Sequence, residues 1–143
     1  MSFRIENKYQ LSTAKLSEFF MFLNDYSAKE MYPTRLIKSI YFDNQNFSAY
    51  RESIEGVVPR KKIRIRNYPN NEDSKLYLEV KNSSMEGRFK TRKIIDKKEM
   101  LDCTNIGYLD NQYGICMPNY YVKYDREYLK KDDVRISIDT NLI

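Results

Sequence analysis

The segment Lys62-Ile63-Arg64-Ile65-Arg66 constrains the fold more than any other part of this 143-residue sequence. Its three cations and two isoleucines alternate with a strict period of two. Successive side chains of a β-strand point to opposite faces of the sheet. The segment is therefore predicted to be a strand with one cationic face and one apolar face.

The neighbouring segments repeat this alternation. Apolar positions 76, 78 and 80 alternate with Tyr77, Glu79 and Lys81, and Arg88, Lys90 and Arg92 share one face of the next segment. In the last strand, residues 134, 136 and 138 are predicted to pack against apolar neighbours, while 135, 137 and 139 turn away. One sheet is therefore expected to carry a dense cationic surface.

Further strands are predicted over residues 3–11, 36–43 and 120–126. A helix is expected from Ser12 to about Asn24, a short one ends at Gly56, and residues 96–117 are expected to hold short helices. Asp43 is a candidate cap for the turn after its strand. About seven strands joined by turn-rich connectors predict an α+β protein with a large antiparallel sheet, organised as one domain over residues 1–143.

Composition limits the chemistry. The formal net charge of +5 is compatible with a polyanionic partner, and the absence of histidine excludes Ser/His/Asp and Cys/His catalysis. Cys103 and Cys116 lack metal-ligand spacing and are expected to be reduced thiols. Neither a signal peptide nor a membrane-spanning stretch is recognisable, so a soluble, cytoplasmic protein is expected.

The cationic surface allows two interpretations. It is the solvated side of a two-layer domain, or it binds an anion that offsets the repulsion between like charges on adjacent strands. Glu79 could serve as a structural ion-pair partner of Arg64 or Arg66. Tyr77 is the only aromatic residue on the two central charged faces, so base stacking is weakly supported and no nucleic acid partner is predicted.

Five segments together resemble a known family. The sequence resembles the polyphosphate polymerase domain of the vacuolar transporter chaperone (VTC) family, within the triphosphate tunnel, or CYTH-like, group. The segments are Arg4-Ile5-Glu6-Asn7-Lys8-Tyr9, Ser39-Ile40-Tyr41-Phe42-Asp43, Lys62-Ile63-Arg64-Ile65-Arg66, Leu78-Glu79-Val80-Lys81, and Tyr124-Asp125-Arg126 with Val134-Arg135-Ile136-Ser137-Ile138-Asp139.

The resemblance implies an antiparallel β-tunnel or barrel with flanking helices, whose basic interior binds ATP, triphosphate or polyphosphate. It further implies transfer of the ATP γ-phosphate with the help of Mn²⁺ or Mg²⁺. The implied phosphate ligands are Lys8, Arg64, Arg66, Lys81, Lys90, Arg126 and Arg135. Glu6 is the candidate metal ligand, with an ion pair to Arg4 or Lys8 as the alternative, and no catalytic residue is predicted.

The sequence departs from the family pattern after Asp139. In the family, a further strand contributes a metal-binding glutamate, whereas this sequence stops at Ile143. The tunnel is therefore expected to be incomplete, with an open sheet edge that could pair with another copy. A non-catalytic polyphosphate-binding or polyanion-binding module and a triphosphate hydrolase stay open as alternatives. Arg64→Ala and Arg66→Ala are expected to abolish phosphate binding without unfolding the chain.

Overall fold

The computed structural model describes residues 5–143. Within them, three helices and seven strands follow one another along the chain. They are α1 (Thr13–Asp25), β1 (Lys29–Asp43), α2 (Ser48–Glu55), β2 (Arg60–Asn67), β3 (Leu76–Ser83), β4 (Arg88–Ile95), α3 (Lys97–Asn105), β5 (Tyr108–Asp110), β6 (Gly114–Lys131) and β7 (Val134–Thr140).

The strands form one antiparallel sheet. Its order is β4-β3-β2-β1-β6-β5, and β7 pairs with β6 outside this path. The sheet is not closed, since β4 and β5 lie at the two ends of the order. The predicted α+β class and the predicted strand number are confirmed.

The chain divides into two compact units, and we describe each by itself. The first unit comprises the chain up to Pro33 together with Tyr128–Ser137. Helix α1 lies in this unit and begins as predicted, because the Ser12 side chain accepts a hydrogen bond from the Lys15 backbone N–H at 3.3 Å. The Tyr32 and Tyr128 rings meet edge to face, with their centroids 5.8 Å apart. The prediction of a single domain over residues 1–143 stays a prediction.

The second unit, Thr34–Glu127 with Ile138–Ile143, contains the predicted cationic strand and the main core. Ile63 and Ile65 of β2 are both fully buried in this core. Met100 and Cys103 of α3 pack against the same core, so α3 covers its apolar side. The alternation in β2 thus divides the sheet as predicted, with isoleucines on the core side and cations on the other.

Helix α2 is fixed to the end of β1 by one carboxylate. Asp43 Oδ1 accepts hydrogen bonds from the backbone N–H groups of Asn44 and Ala49 at 2.8 and 3.0 Å, and Oδ2 accepts one from Tyr50 at 2.9 Å. The bonds from Ala49 and Tyr50 satisfy amides in the first turn of the helix, and the bond from Asn44 lies in the turn before it. Asp43 was predicted to cap this turn; it does bond there, but it also binds the helix itself, whose N-cap residue Phe47 forms no side-chain capping bond. The helix ends before Gly56, whose φ is +71°.

The first predicted strand is wrong over the residues that the structure describes. Residues 5–11 have no regular secondary structure, and residues 3 and 4 lie outside the described part of the chain. Ile5 and Tyr9, which a strand would place on its apolar side, are 87% and 81% exposed. Alternation predicts a strand only where a neighbouring strand and an apolar layer are available, and the described sheet provides neither for this segment.

Three smaller expectations have mixed outcomes. Cys103 and Cys116 are free thiols, as predicted, and burial raises the pKa of the Cys116 thiol to about 11. In β7 only Ile138 is buried, whereas Val134, predicted to pack, is exposed. None of the helices in residues 5–143 combines the length and apolar character needed to cross a bilayer.

Candidate functional site

Strand register brings the predicted cations together in rows. Lys62 of β2 lies beside Lys81 of β3, and Lys81 lies beside Lys90 of β4. One step along the strands, Glu79 lies between Arg64 and Arg92. We call this side of β2–β4 the cationic face. It carries Lys62, Arg64, Arg66, Lys81, Lys90 and Arg92, and among the described residues of these three strands Glu79 is its one acid.

Glu79 is the centre of the cationic face. Its side chain is only 2% exposed, and its Oε2 lies 2.7 Å from Arg64 Nε and 2.6 Å from Arg64 Nη2. Its Oε1 lies 2.7 Å from Lys90 Nζ and 3.4 Å from Arg92 Nε. Burial raises the pKa of the Glu79 carboxyl, but hydrogen bonds from Lys90 and Arg64 outweigh this effect and lower it. The predicted structural ion pair with Arg64 is confirmed, and Lys90 and Arg92 join it in place of Arg66.

Hydroxyl groups hold Arg64 and Arg66 of β2. Arg66 is only 7% exposed. Its Nε donates to Ser39 Oγ at 2.9 Å, and its Nη2 donates to Tyr124 Oη at 3.3 Å. Arg64 Nη1 donates to Tyr41 Oη at 3.0 Å. Both guanidinium groups therefore have fixed orientations, although each retains further N–H donors.

The three hydroxyl residues were not predicted as part of the site. A signal for two of them was present, because Ser39 and Tyr41 lie on the polar side of the alternation in β1. Tyr124 gave no such signal, since its contact with Arg66 depends on the placement of β6 beside β1. The structure therefore adds Ser39, Tyr41 and Tyr124 to the site as residues that position the arginines.

The predicted phosphate ligands are distributed over both units. Arg64, Arg66, Lys81 and Lys90 lie on the cationic face, where Lys81 is exposed. Arg126 forms a two-pronged ion pair with Asp139, with distances of 2.6 and 2.7 Å, and its guanidinium carbon lies 5.2 Å from the Tyr124 ring centroid. Lys8 and Arg135 belong to the first unit. The assignment of all seven residues as phosphate ligands stays a prediction.

The described residues do not form a ready-made metal site. No group of three or more acidic or cysteine side chains within residues 5–143 could hold a metal ion. Both oxygens of Glu79 are in contact with cations. Glu6 lies in the first unit, where its Oε1 is 3.9 Å from Lys8 Nζ and both side chains are largely exposed. The ion-pair alternative for Glu6 is present in the structure, and its role as a metal ligand stays a prediction.

Comparison with solved structures identifies the fold class. The chain is similar to a Bacillus halodurans protein whose crystal structure is described as that of a "putative adenylate cyclase". The TM-score is 0.63 at 12% sequence identity, and the match covers 90% of this chain and 67% of that chain. The chain thus has the triphosphate tunnel fold, with a sheet that is not closed.

The family follows from the sequence itself. The VTC domain matches residues 3–114, and the chain belongs to the VTC domain family. No curated protein sequence matches it. The predicted resemblance is confirmed, and family and fold together connect the chain with triphosphate or polyphosphate chemistry.

Proposed function

We propose that the cationic face binds the phosphates of ATP and of polyphosphate, and that the domain transfers the ATP γ-phosphate to a growing polyphosphate chain. The observation that carries the proposal is the row of three lysines, Lys62, Lys81 and Lys90, in direct register on adjacent strands. Like charges placed opposite each other destabilise a sheet unless something compensates them. Glu79 is the one carboxylate that these three strands set among the cations of this face, so a multivalent anion is the natural compensator.

The two types of cation suit different parts of such a ligand. Arginine presents a planar fork that binds phosphate oxygens in pairs, and lysine supplies a movable point charge. Arg64 and Arg66 are held by hydroxyl groups before any ligand arrives, so less side-chain freedom is lost on binding. Lys62 and Lys81 are exposed, so a phosphate chain can reach them from solvent.

Phosphoryl transfer suits this arrangement because it needs little covalent chemistry from the protein. Catalysis comes mainly from the positioning of the phosphates and from neutralisation of the charge that develops in the transition state. Fixed guanidinium groups supply both functions without histidine. The proposal includes Mn²⁺ or Mg²⁺ as the cofactor of this transfer. The ion would enter together with the triphosphate, since such ions commonly bind through one or two carboxylates, phosphate oxygens and water.

An assay with ATP and MnCl₂ tests the proposal against its two alternatives. We expect polyphosphate, seen on gels, to accumulate together with ADP. Release of inorganic phosphate alone would favour a triphosphate hydrolase. Binding of polyphosphate without any product would favour a non-catalytic binding module. Lys97→Ala on helix α3 removes one exposed lysine away from the cationic face and should form the same products as the wild type.

Two further parts of the proposal concern the setting of the domain. We place it in the cytoplasm, where ATP is available as the phosphate donor.

Strand β4 lies at an end of the sheet order and carries Arg88, Lys90, Arg92 and Lys93. Charged side chains discourage edge-to-edge pairing, so another copy would pair with β4 only when an anion offsets this charge. Light scattering with and without tripolyphosphate measures this effect.

A further inference from the structure

A second feature of the same unit lies where α2 meets the cationic face. It is a recess of about 140 Å³. We call it the tyrosine recess, and its lining includes Tyr41, Tyr50, Ser53, Lys62 and Tyr120. The rings of Tyr50 and Tyr120 lie 6.0 Å apart between centroids, and each residue is roughly half exposed.

Two residues connect the recess to the cationic face. Lys62 lines the recess and also begins the row of three lysines. Tyr41 lines the recess, and its hydroxyl accepts the hydrogen bond from Arg64. A molecule with phosphates on the cationic face could therefore extend directly into the recess.

The recess offers an aromatic platform and one unused polar group. Tyr50 and Ser53 are three residues apart on α2 and so lie on the same side of the helix. The buried Ser53 Oγ has no hydrogen-bond partner among the described residues. A buried hydroxyl without a partner is uncommon and calls for a ligand or a water.

We propose that the tyrosine recess holds the base of a nucleoside triphosphate whose phosphates lie on the cationic face. Bases stack on aromatic rings irrespective of their identity, and the Ser53 hydroxyl could donate to or accept from a base edge. The volume is below the roughly 300 Å³ of a pocket for a whole drug-sized ligand, so it suits a single ring system. This inference rests on the proposed function and adds a site for the base to the phosphate contacts proposed above.

Calorimetric titration with ATP and with inorganic tripolyphosphate, both in the presence of a chelator to prevent turnover, tests the inference. The quantity of interest is the ratio of the two affinities in each variant, because it cancels effects on phosphate binding. We expect Tyr120→Ala to lower the preference for ATP about tenfold, through lost stacking, and to leave tripolyphosphate binding unchanged. Tyr120→Phe should keep the ratio, because the ring remains.

Tyr121→Ala is the matched control, since it removes the neighbouring tyrosine, which does not line the recess. Tyr50→Ala provides a second test if Tyr120→Ala does not fold, and thermal melting identifies that case. An unchanged ratio in both alanine variants would overturn the inference while the proposed function stands. A wild-type chain that binds neither ligand with the chelator, and that does not bind tripolyphosphate when MgCl₂ is added, would overturn both.

Discussion

Arg64 and Glu79 face each other across β2 and β3, and two nitrogens of the guanidinium contact the same carboxylate oxygen at 2.7 and 2.6 Å. Because Lys90 contacts the other oxygen, this carboxylate holds cations from two strands in place. The cationic face is thus partly neutralised from within.

Glu79→Gln keeps the shape of the side chain and removes its charge. Breaking a buried ion pair costs roughly 3–5 kcal/mol, but Lys90 and Arg92 are half exposed, so we expect a loss of about 2 kcal/mol in the free energy of unfolding. Tripolyphosphate should raise the melting temperature of this variant more than that of the wild type, because the anion replaces the lost carboxylate. An equal or smaller increase in the variant would contradict the anion site.

The pH dependence of stability follows from the same carboxylate. The pKa of Glu79 in the folded chain lies below its ordinary value of 4.5. Its contribution to stability is therefore present above about pH 4.5 and is lost as the pH falls through the folded-state pKa. Denaturant unfolding of wild type and Glu79→Gln should show a gap in stability at pH 7 that closes below pH 4.5. A gap that is constant with pH would show that the charge of Glu79 does not stabilise the fold.

Arg64 and Arg66 of β2 should respond differently to truncation. Arg64→Ala leaves Glu79 paired with Lys90 and Arg92, and we expect little change in melting temperature. Arg66→Ala leaves the buried hydroxyls of Ser39 and Tyr124 without a partner, so we expect a loss of about 2 kcal/mol. Chemical denaturation of both variants checks this, and equal losses would contradict the buried role of Arg66. The sequence-based expectation that both truncations leave the fold intact stays a prediction, and the burial of Arg66 adds an expected cost in stability for that variant.

Asp43→Ala tests how α2 is held. The substitution removes two hydrogen bonds from the beginning of the helix and one from the preceding turn, and we expect about 1–2 kcal/mol of lost stability. Asp43→Asn retains one acceptor oxygen and should lose less. Chemical denaturation of both variants measures the difference, and equal stability of Asp43→Ala and wild type would show that the cap does not stabilise the helix.

The sequence predicted β2 and β3 well because apolar and charged residues alternate in them according to which side faces the core. Strand β4 was predicted from its alternating cations, although only Ile95 at its end is buried. It failed at residues 5–11, where the same alternation has no partner strand. The full set of partners of Glu79 was not predictable, since it depends on the register that two turns impose. The contact of Tyr124 with Arg66 could not be predicted either, because these residues are 58 positions apart and meet only when β6 lies beside β1.

Titration of the chain with inorganic tripolyphosphate tests the central claim most directly. We expect saturable binding that weakens with added salt, because the contacts are mainly charged. Lys62→Ala combined with Lys81→Ala should weaken binding at least tenfold with an unchanged melting temperature. Lys97→Ala combined with Lys98→Ala, which removes the same charge from α3, should bind like the wild type. Equal weakening in both double variants, or no binding by the wild type, would contradict a phosphate site on the cationic face.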